Sequence, residues 1–203
     1  INPEKGHFQY EFTTKPSGNI AHQIQAYNEI KKHITSSLND SVMADFSAKP
    51  YSDDCANALQ LNFSIFNDNK NFIFTDNDLT QNLASFLVSK IDDLMIFANA
   101  VDDDFLRYDI DYNRQIHRIG KFVAPTVKCW GFDNRSCAIR IVRSDNDSAR
   151  MEIRLPSNNC HIELFSCVLL FTLSQFFKSD YDSNNLITPI YGNAFDEKYN
   201  LPM

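Results

Sequence analysis

Residues 124–142 read APTVKCWGFDNRSCAIRIV, and residues 150–156 read RMEIRLP. The second stretch alternates charged and apolar residues, so its three charged side chains share one face of a strand and its apolar side chains point to the core. The first stretch contains two strand-like segments, residues 127–130 and 136–142, and residues 131–134 between them are typical of a hairpin turn. We therefore predict neighbouring antiparallel strands at the centre of the fold.

The charged face of the second stretch consists of Arg150, Glu152 and Arg154. A carboxylate between two guanidiniums can form a solvated ladder of salt bridges. It can also form an anion site with one metal ligand. Arg135 and Arg140 in the preceding segment would extend that site, because guanidinium forks match the oxygens of phosphate and carboxylate. Both interpretations are open, and the second one favours a polyanionic ligand.

Hydrophobic periodicity outside this block predicts a mixture of helices and short strands. The helices are expected at residues 19–34, 79–99 and 162–177, and the last is apolar enough to be buried on most sides. The additional strands are expected at residues 7–12, 42–46 and 59–65. Residues 102–121 have weak periodicity and are expected to form an irregular loop or a short helix. Because strands and helices do not alternate strictly, the predicted class is α+β, a mainly antiparallel sheet with helices packed on one face.

The size and composition of the chain limit the possible functions. A chain of 203 residues with 43% apolar content can bury one sizeable core, so a single domain over residues 1–203 is expected. The net charge of −7, spread along the chain, argues against a nucleic-acid partner held by phosphate contacts. The sequence has neither an apolar run long enough to cross a membrane nor the features of a signal peptide. Five cysteines without a CxxC pair are typical of reduced thiols, which predicts a cytoplasmic protein.

The order and spacing of the central motifs resemble a known family. Residues 124–141 match the pattern A-P-x-x-x-x-W-G-x-x-N-R-S-x-x-I-R-I, and residues 150–156 match R-x-E-x-R-x-P. Both patterns resemble the C-terminal part of the glutamine synthetase catalytic domain. The resemblance is sharp over residues 122–170, and weaker matches at Lys49-Pro50 and in the tail extend it over nearly the whole chain.

The resemblance implies a fold of the glutamine synthetase/guanido kinase-like type and an ATP-dependent ligase chemistry. In that chemistry divalent metals and arginines stabilise the phosphoryl group that is transferred to glutamate, before ammonia displaces it. By motif position, the implied roles are a metal ligand for Glu152, phosphate contacts for Arg135 and Arg140, nucleotide contacts for Arg150 and Ser64, and a substrate-carboxylate contact for Arg154. Arg135 is thus the remnant of the catalytic machinery.

Several positions depart from the family pattern. The metal glutamate of G-Q-x-E is replaced by Gln9, and the glutamate-binding loop N-G-S-G-M-H reads CANALQ at residues 55–60. The flap motif G-Y-E-A-P reads KFVAP at residues 121–125, where Val123 cannot accept a proton. Hard divalent cations depend on anionic oxygens, so Mg²⁺ and ATP are expected to bind weakly or not at all. The family's N-terminal domain and first catalytic strand have no counterpart in these residues.

Two functional hypotheses follow from the sequence. The first is a catalytically inactive binding or assembly subunit that retains an arginine-rich anion or nucleotide site. The alternative is an active ATP-dependent carboxylate–amine ligase with an altered substrate, or one completed by a partner subunit. In either case a partner chain that supplies the missing domain, or a homo-oligomer, is expected. Glutamine formation by the purified chain would distinguish the two hypotheses.

Overall fold

The computed structural model describes residues 1–121, 123–179 and 186–199. The strands are β1 (Asn2–Pro3), β2 (Tyr10–Glu11), β3 (Leu61–Phe63), β4 (Phe66–Asn67), β5 (Lys70–Asn71), β6 (Trp130–Phe132), β7 (Ile139–Val142) and β8 (Arg150–Ile153). The helices are α1 (Ile20–Ser37), α2 (Phe72–Thr75), α3 (Asn77–Ser89), α4 (Ile91–Ala98), α5 (Ile110–Arg118) and α6 (Ile162–Lys178). Two 3₁₀ helices cover Asp102–Tyr108 and Glu197–Tyr199.

A four-stranded sheet forms the centre of the molecule, in the order β3-β8-β7-β6. The β3–β8 and β8–β7 pairs are antiparallel, and the β7–β6 pair is parallel. The strands β1 and β2 form one separate two-stranded sheet, and β4 and β5 form another. The predicted α+β class is therefore confirmed.

The predicted hairpin between β6 and β7 is wrong, because these two strands run parallel. Asp133 adopts a left-handed φ of 48°, and the side chain of Asn134 donates to the carbonyls of Ile190 and Gly192, each at 2.8 Å. The residues after β6 are thus bound to the C-terminal segment instead of closing a tight turn. The chain then returns to the start of β6, where Ile139 N donates to the carbonyl of Cys129.

The helix predicted over residues 79–99 is divided into α3 and α4. Lys90 has φ −104° and ψ 6°, and its N–H donates to the carbonyls of both Leu87 and Val88. The break changes the direction of the chain, so that α3 packs on β6 and β7 while both α3 and α4 contact α6. Periodicity alone did not reveal it, because each half keeps an apolar face.

Two of the predicted strands are shorter than expected or absent. Residues 7–12 contain only the two-residue β2, and residues 42–46 contain no strand. Val42 and Met43 are exposed, and Asp45 forms a local turn in which its carboxylate accepts from Ser47 N. A strand needs a partner and a buried face, and residues 42–46 have neither within the described structure.

The helices predicted over residues 19–34 and 162–177 are confirmed, and they correspond to α1 and α6. Asn19 caps α1 by accepting a hydrogen bond from His22 N at 3.3 Å, which is the expected role of asparagine at that position. The expectation that α6 is buried on most sides is wrong, because Leu164, Phe171 and Phe177 are exposed. Only one face of α6 packs, since α6 lies over α3 and α4 as an outer layer.

The main core lies between the sheet and the helices α3, α4 and α6. Its largest fully buried side chains include Trp130, Met151, Ile153, Leu83 and Phe165. Residues 102–121 form a 3₁₀ helix followed by α5, in agreement with the prediction of a loop or short helix. In the part of the chain that the structure describes, no helix is both long and apolar enough to span a lipid bilayer.

Candidate functional site

Arg140, Glu152 and Asn62 lie side by side across β7, β8 and β3. Arg140 Nη1 is 3.1 Å from Glu152 Oε2, and Arg154 Nη1 is 2.7 Å from Glu152 Oε1. Arg140 Nη2 also pairs with Asp133 Oδ1 at 3.2 Å. We call Arg140, Glu152 and Arg154 the arginine network.

The arginine network is buried. Glu152 is 3% exposed and Arg154 is 6% exposed, whereas the Asp133 side chain is 63% exposed. Burial lowers the pKa of Arg154, the negative charge of Glu152 opposes that effect, and the positive charges of Arg107 and Arg140 add to it. Asp133 contributes little, because ion pairs of exposed side chains are weakened by water and salt.

Positive charge is in excess around Glu152. Arg107 is buried as well, and its Nη1 donates to the carbonyls of Leu155 and Pro156, at 2.6 and 3.2 Å. Within the described residues, no salt bridge joins Arg107 to a carboxylate. Two buried guanidiniums, those of Arg107 and Arg154, thus lie close enough to influence each other, and only Arg154 is paired with the buried carboxylate of Glu152.

Three of the guanidinium donors near Glu152 have no partner. The Nε atoms of Arg107, Arg140 and Arg154 are buried and make no hydrogen bond to any atom of the described chain. A buried N–H group without a partner costs about 1–3 kcal/mol, so such groups are normally satisfied by protein, water or ligand. Within the described chain these three donors are therefore left unsatisfied.

Arg150 and Ser64 lie at the other end of β8 and make contacts of their own. Arg150 Nε donates to Asn62 Oδ1 at 3.0 Å, and Arg150 Nη1 donates to the carbonyl of Ser148 at 3.0 Å. Ser64 Oγ donates to the carbonyl of Ala149 at 2.7 Å. The structure thus brings Arg140, Glu152 and Arg154 together. Arg150 and Ser64 lie at the opposite end of the β3–β8 pair.

Arg135 lies near the carboxylate of Glu11 in β2, a residue that was not among the predicted site residues. Burial raises the pKa of Glu11, the negative charges of Glu4 and Glu152 raise it further, and the positive charge of Arg135 lowers it. The signal that could have found Glu11 is its position two residues after Gln9, because alternate residues of an extended chain share a face.

A short segment of the chain lies against Arg154. Arg154 Nη2 donates to the carbonyl of Val123 at 3.2 Å, and the N–H of Ala124 donates to Asn113 Oδ1 at 2.8 Å. Lys121, in the same segment, forms a salt bridge with Asp54. We call Lys121, Val123 and Ala124 the strap.

The carboxylate of Asp54 connects three parts of the chain. It accepts hydrogen bonds from Lys121 Nζ, from His7 N at 2.5 Å and from Cys55 N at 2.7 Å. Burial raises the pKa of Asp54, but these three donors outweigh burial and bring it to about 2. No sequence motif indicated Asp54 or Lys121, because the pair joins two loops that are far apart in the chain.

The residues that are present do not fit a divalent metal ion. Both oxygens of Glu152 are already paired with guanidiniums, and Gln9 donates its side-chain amide to the carbonyl of Ala56 and to Asn57 Oδ1. Across residues 1–121, 123–179 and 186–199, no three His, Cys, Asp or Glu side chains are grouped in a way that could hold a metal. Hard divalent cations need several anionic oxygens, and the described residues around Glu152 do not supply them.

A small, mainly antiparallel sheet packed against helices, with the arginine network at its centre, defines the class of this molecule as an α+β fold. Residues 2–174 match the family described as "Glutamine synthetase, catalytic domain". The chain belongs to that family.

Two curated glutamine synthetases are similar to the chain in sequence. The glutamine synthetase of Mycolicibacterium smegmatis is 28% identical over 154 residues, which cover 74% of this chain and 33% of the relative. Type-1 glutamine synthetase 2 of Dictyostelium discoideum is 25% identical over 178 residues, 81% of this chain and 31% of the relative. The chain thus spans about a third of the length of these curated relatives.

Solved structures show the same fold. The cryo-EM structure of Plasmodium falciparum glutamine synthetase has a TM-score of 0.65 and 21% identity, over 78% of this chain and 31% of that chain. A GmaS/ADP complex has a TM-score of 0.66 and 14% identity, over 87% of this chain and 40% of that chain. At these identities the similarity concerns the fold alone.

Proposed function

We propose that this chain is a catalytically inactive member of its family, a binding or assembly module that retains an arginine-rich oxyanion site. The proposal covers residues 1–203 as a single domain. The proposed ligand site is centred on Arg154 and Arg140, with Arg135 and Arg150 at its margins.

One observation supports the loss of catalysis above all others. Glu152, the residue at the family's metal-ligand position, uses both carboxylate oxygens in ion pairs with Arg140 and Arg154. A carboxylate that is neutralised by two guanidiniums is a poor ligand for Mg²⁺. Phosphoryl transfer depends on metals and positive groups that neutralise developing charge, so the loss of the metal would remove most of the rate acceleration.

The replaced residues around the arginine network support the same proposal. The side-chain amide of Gln9 donates to the carbonyl of Ala56 and to Asn57 Oδ1, so Gln9 fastens that loop. Val123 stands at the position of the flap glutamate, and its backbone carbonyl contacts Arg154. The side chain of Val123 cannot accept a proton, whereas its contact with Arg154 is made by the backbone and does not depend on the side chain.

The excess of buried positive charge supports an oxyanion as the ligand. Arg107, Arg140 and Arg154 each keep an unpartnered Nε–H within the described structure. Guanidinium edges bind the oxygens of carboxylate and phosphate in pairs, and both ligand types satisfy this chemistry. The proposed site therefore takes a small carboxylate or phosphate without turnover.

The biological setting of such a module is an assembly. We propose that the module works with a partner chain or with copies of itself. The proposed compartment is the cytoplasm, where free thiols stay reduced.

The test combines an activity assay with a binding assay. The purified chain is incubated with glutamate, ammonia, ATP and Mg²⁺, and no glutamine above the enzyme-free level is expected. Calorimetry then measures the binding of inorganic phosphate and acetate to the wild type and to the Arg154→Gln and Arg140→Gln variants, which are expected to lose at least one of the two anions.

Arg143→Gln is the matched control for the binding assay. Its guanidinium contacts Asn77 Oδ1 and the carbonyl of Phe74, at 2.7 and 2.6 Å, and its removal is expected to leave anion binding unchanged. Sustained glutamine formation by the chain, or by the chain with a co-purifying partner, would replace the proposal with an ATP-dependent carboxylate–amine ligase.

A further inference from the structure

Two cysteines lie against each other where the chain enters β6 and β7. Cys129 directly precedes β6, and Cys137 lies two residues before β7. Because Trp130 is paired with Ile139 in parallel register, both cysteines lie at the same end of the two strands. A hydrogen bond joins the two thiols, and both residues are 0% exposed. The two side chains thus form a buried dithiol.

The two thiols have different surroundings. The sulfur of Cys129 accepts hydrogen bonds from the Cys137 thiol and from the N–H of Ala138, and these donors lower the pKa of Cys129 although burial opposes them. The hydrogen bond between the thiols raises the pKa of Cys137, and burial raises it further. Cys129 is therefore the sulfur that carries the thiolate, which is the form of cysteine that attacks an oxidant.

A short part of the C-terminal segment covers the dithiol. Ile190 and Ala194 pack on the two cysteines in a small apolar cluster outside the main core. The side chain of Asn134 donates to the carbonyl of Ile190 at 2.8 Å, and Ala194 N donates to Ser136 Oγ at 2.9 Å. We call residues 190–194 the cover. Because few contacts hold the cover, it can open locally while the main core stays folded.

We propose that Cys129 and Cys137 form a redox site that hydrogen peroxide converts to a disulfide. The thiolate of Cys129 attacks one oxygen of the peroxide, the O–O bond breaks, and the hydroxide that leaves takes up a proton to become water. Cys129 is then a sulfenic acid. The sulfur of Cys137 attacks the sulfur of Cys129, and the hydroxyl group leaves as a second water. Two thiols and one hydrogen peroxide thus give one disulfide and two waters.

The burial of the dithiol favours a small oxidant. Both sulfurs lie beneath the cover, so hydrogen peroxide reaches them after a small local opening, whereas a bulky disulfide such as oxidised glutathione needs the cover to detach. In a reducing compartment the disulfide that forms is transient, which is typical of a redox sensor. The chemistry of the dithiol does not depend on anion binding.

Peptide mass spectrometry of the full chain tests the redox site. Trypsin cleaves after Lys128 and Arg135, so the two cysteines fall on different peptides, residues 129–135 and residues 136–140. The folded chain is treated with hydrogen peroxide, its remaining thiols are alkylated, and it is digested without reduction. These two peptides are expected to be joined by a disulfide, and a dithiol reductant is expected to separate them.

Two other cysteines need control in the same experiment. Cys160 is also buried, but burial raises its pKa to about 12, so it is expected to stay reduced. Cys167 is exposed, and all samples carry Cys167→Ala so that this thiol cannot link two molecules. A buried thiol alone is thus distinguished from a buried dithiol.

A matched pair of serine variants assigns the two sulfurs. In Cys137→Ser the sulfenic acid at Cys129 has no thiol to resolve it, so the sulfenic-acid reagent dimedone is expected to label Cys129. In Cys129→Ser no label is expected at Cys137, because its thiol stays protonated. Cysteines that only fill space would be labelled in neither variant. Urea unfolding shows that both variants are folded.

Asn134→Ala tests the cover. The change removes hydrogen bonds to the carbonyls of Ile190 and Gly192, so the cover opens more often and the disulfide is expected to form about tenfold faster. Asn62→Ala is the matched control, because Asn62 contacts Arg150 and lies in β3, at the opposite edge of the sheet from β6. Its rate of disulfide formation is expected to equal that of the wild type.

Different results would overturn different parts of the proposal. If the two peptides stay separate at a peroxide concentration that oxidises free cysteine, the redox site is rejected. Labelling of Cys137 in Cys129→Ser, to the same extent as Cys129 in Cys137→Ser, would overturn the assignment of the attacking thiolate. An unchanged rate in Asn134→Ala would overturn the role of the cover.

Discussion

Arg140 lies directly opposite Glu152 across the β7–β8 pair, and its Nη1 is 3.1 Å from Glu152 Oε2. The other oxygen of Glu152 is held by Arg154, so a single buried carboxylate joins two guanidiniums. The pairing follows from strand register, because residues that face each other across antiparallel strands have adjacent side chains. Glu152 is thereby the centre of an ion network.

The ion network makes Glu152 a large contributor to stability. Glu152→Gln is expected to lower the free energy of unfolding by about 3–5 kcal/mol, because it leaves the buried guanidinium of Arg154 without a counter-charge. Urea denaturation at neutral pH measures the change. Asp92→Asn is the control, since the Asp92 side chain is 76% exposed in its pair with Lys128 and its loss is expected to cost less than about 1 kcal/mol. Equal effects of the two variants would contradict the prediction.

Asn113 fastens α5 to the strap and to the preceding 3₁₀ helix. Its side-chain amide donates to the carbonyls of Arg107 and Asp109, each at 2.8 Å, and its Oδ1 accepts from Ala124 N. Asn113→Ala removes the side-chain partner of the Arg107 carbonyl and of Ala124 N, while the Asp109 carbonyl still accepts from the backbone N–H of residue 113, so a loss of about 2–4 kcal/mol is expected. Thermal or urea unfolding measures it.

Asn113→Asp separates the two functions of that side chain. It keeps the acceptor for Ala124 N but removes the donors to the two carbonyls, so its loss of stability is expected to be at least as large as that of Asn113→Ala. Protection of the Ala124 amide against exchange should survive in Asn113→Asp and disappear in Asn113→Ala. The prediction would be wrong if Ala124 stayed protected in both variants.

The Asp54 carboxylate makes a pH-dependent contribution to stability. Its pKa is about 2 in the folded chain, below the ordinary value of 3.8, so the folded state binds the proton more weakly than the unfolded state. The contribution is therefore fully present above pH 4 and is lost as the pH falls from about 4 towards about 2. The measurement is the free energy of unfolding over that range. Asp54→Asn is expected to reduce the slope, and an unchanged slope would contradict the assignment.

Gly131 in β6 is required by the close approach of the C-terminal segment. A Cβ at this position would lie 2.6 Å from the carbonyl oxygen of Ile190 and 3.2 Å from Cys137 Sγ. Gly131→Ala is expected to destabilise the chain by about 1–3 kcal/mol, because the backbone carbonyl cannot move without separating the segment from β6. Gly18→Ala is the matched control, since nothing lies within 4 Å of its Cβ position, and it is expected to stay within about 0.5 kcal/mol of the wild type. A similar unfolding midpoint for both would refute the prediction.

The sequence was most informative where local chemistry decides the structure. The alternation of Arg150, Glu152 and Arg154 predicted a strand with its charges on one face, and Asn19 marked the start of α1. The prediction of a hairpin after Trp130 failed, because contacts with a distant segment decide the path of the chain there. The Asn134 side chain binds the carbonyls of Ile190 and Gly192, and the chain around it does not form the expected hairpin.

The amino-acid sequence by itself determined the family and the α+β class, because these depend on residue types at short, fixed spacings. Only the tertiary structure decided that Glu152 is shared by Arg140 and Arg154, and that Lys121 meets Asp54 beside Arg154. The physical reason is that ion pairs form between side chains that folding brings within about 4 Å, whatever their distance along the chain. Sequence spacing records which charges are present, and strand register and loop packing decide which of them neutralise one another.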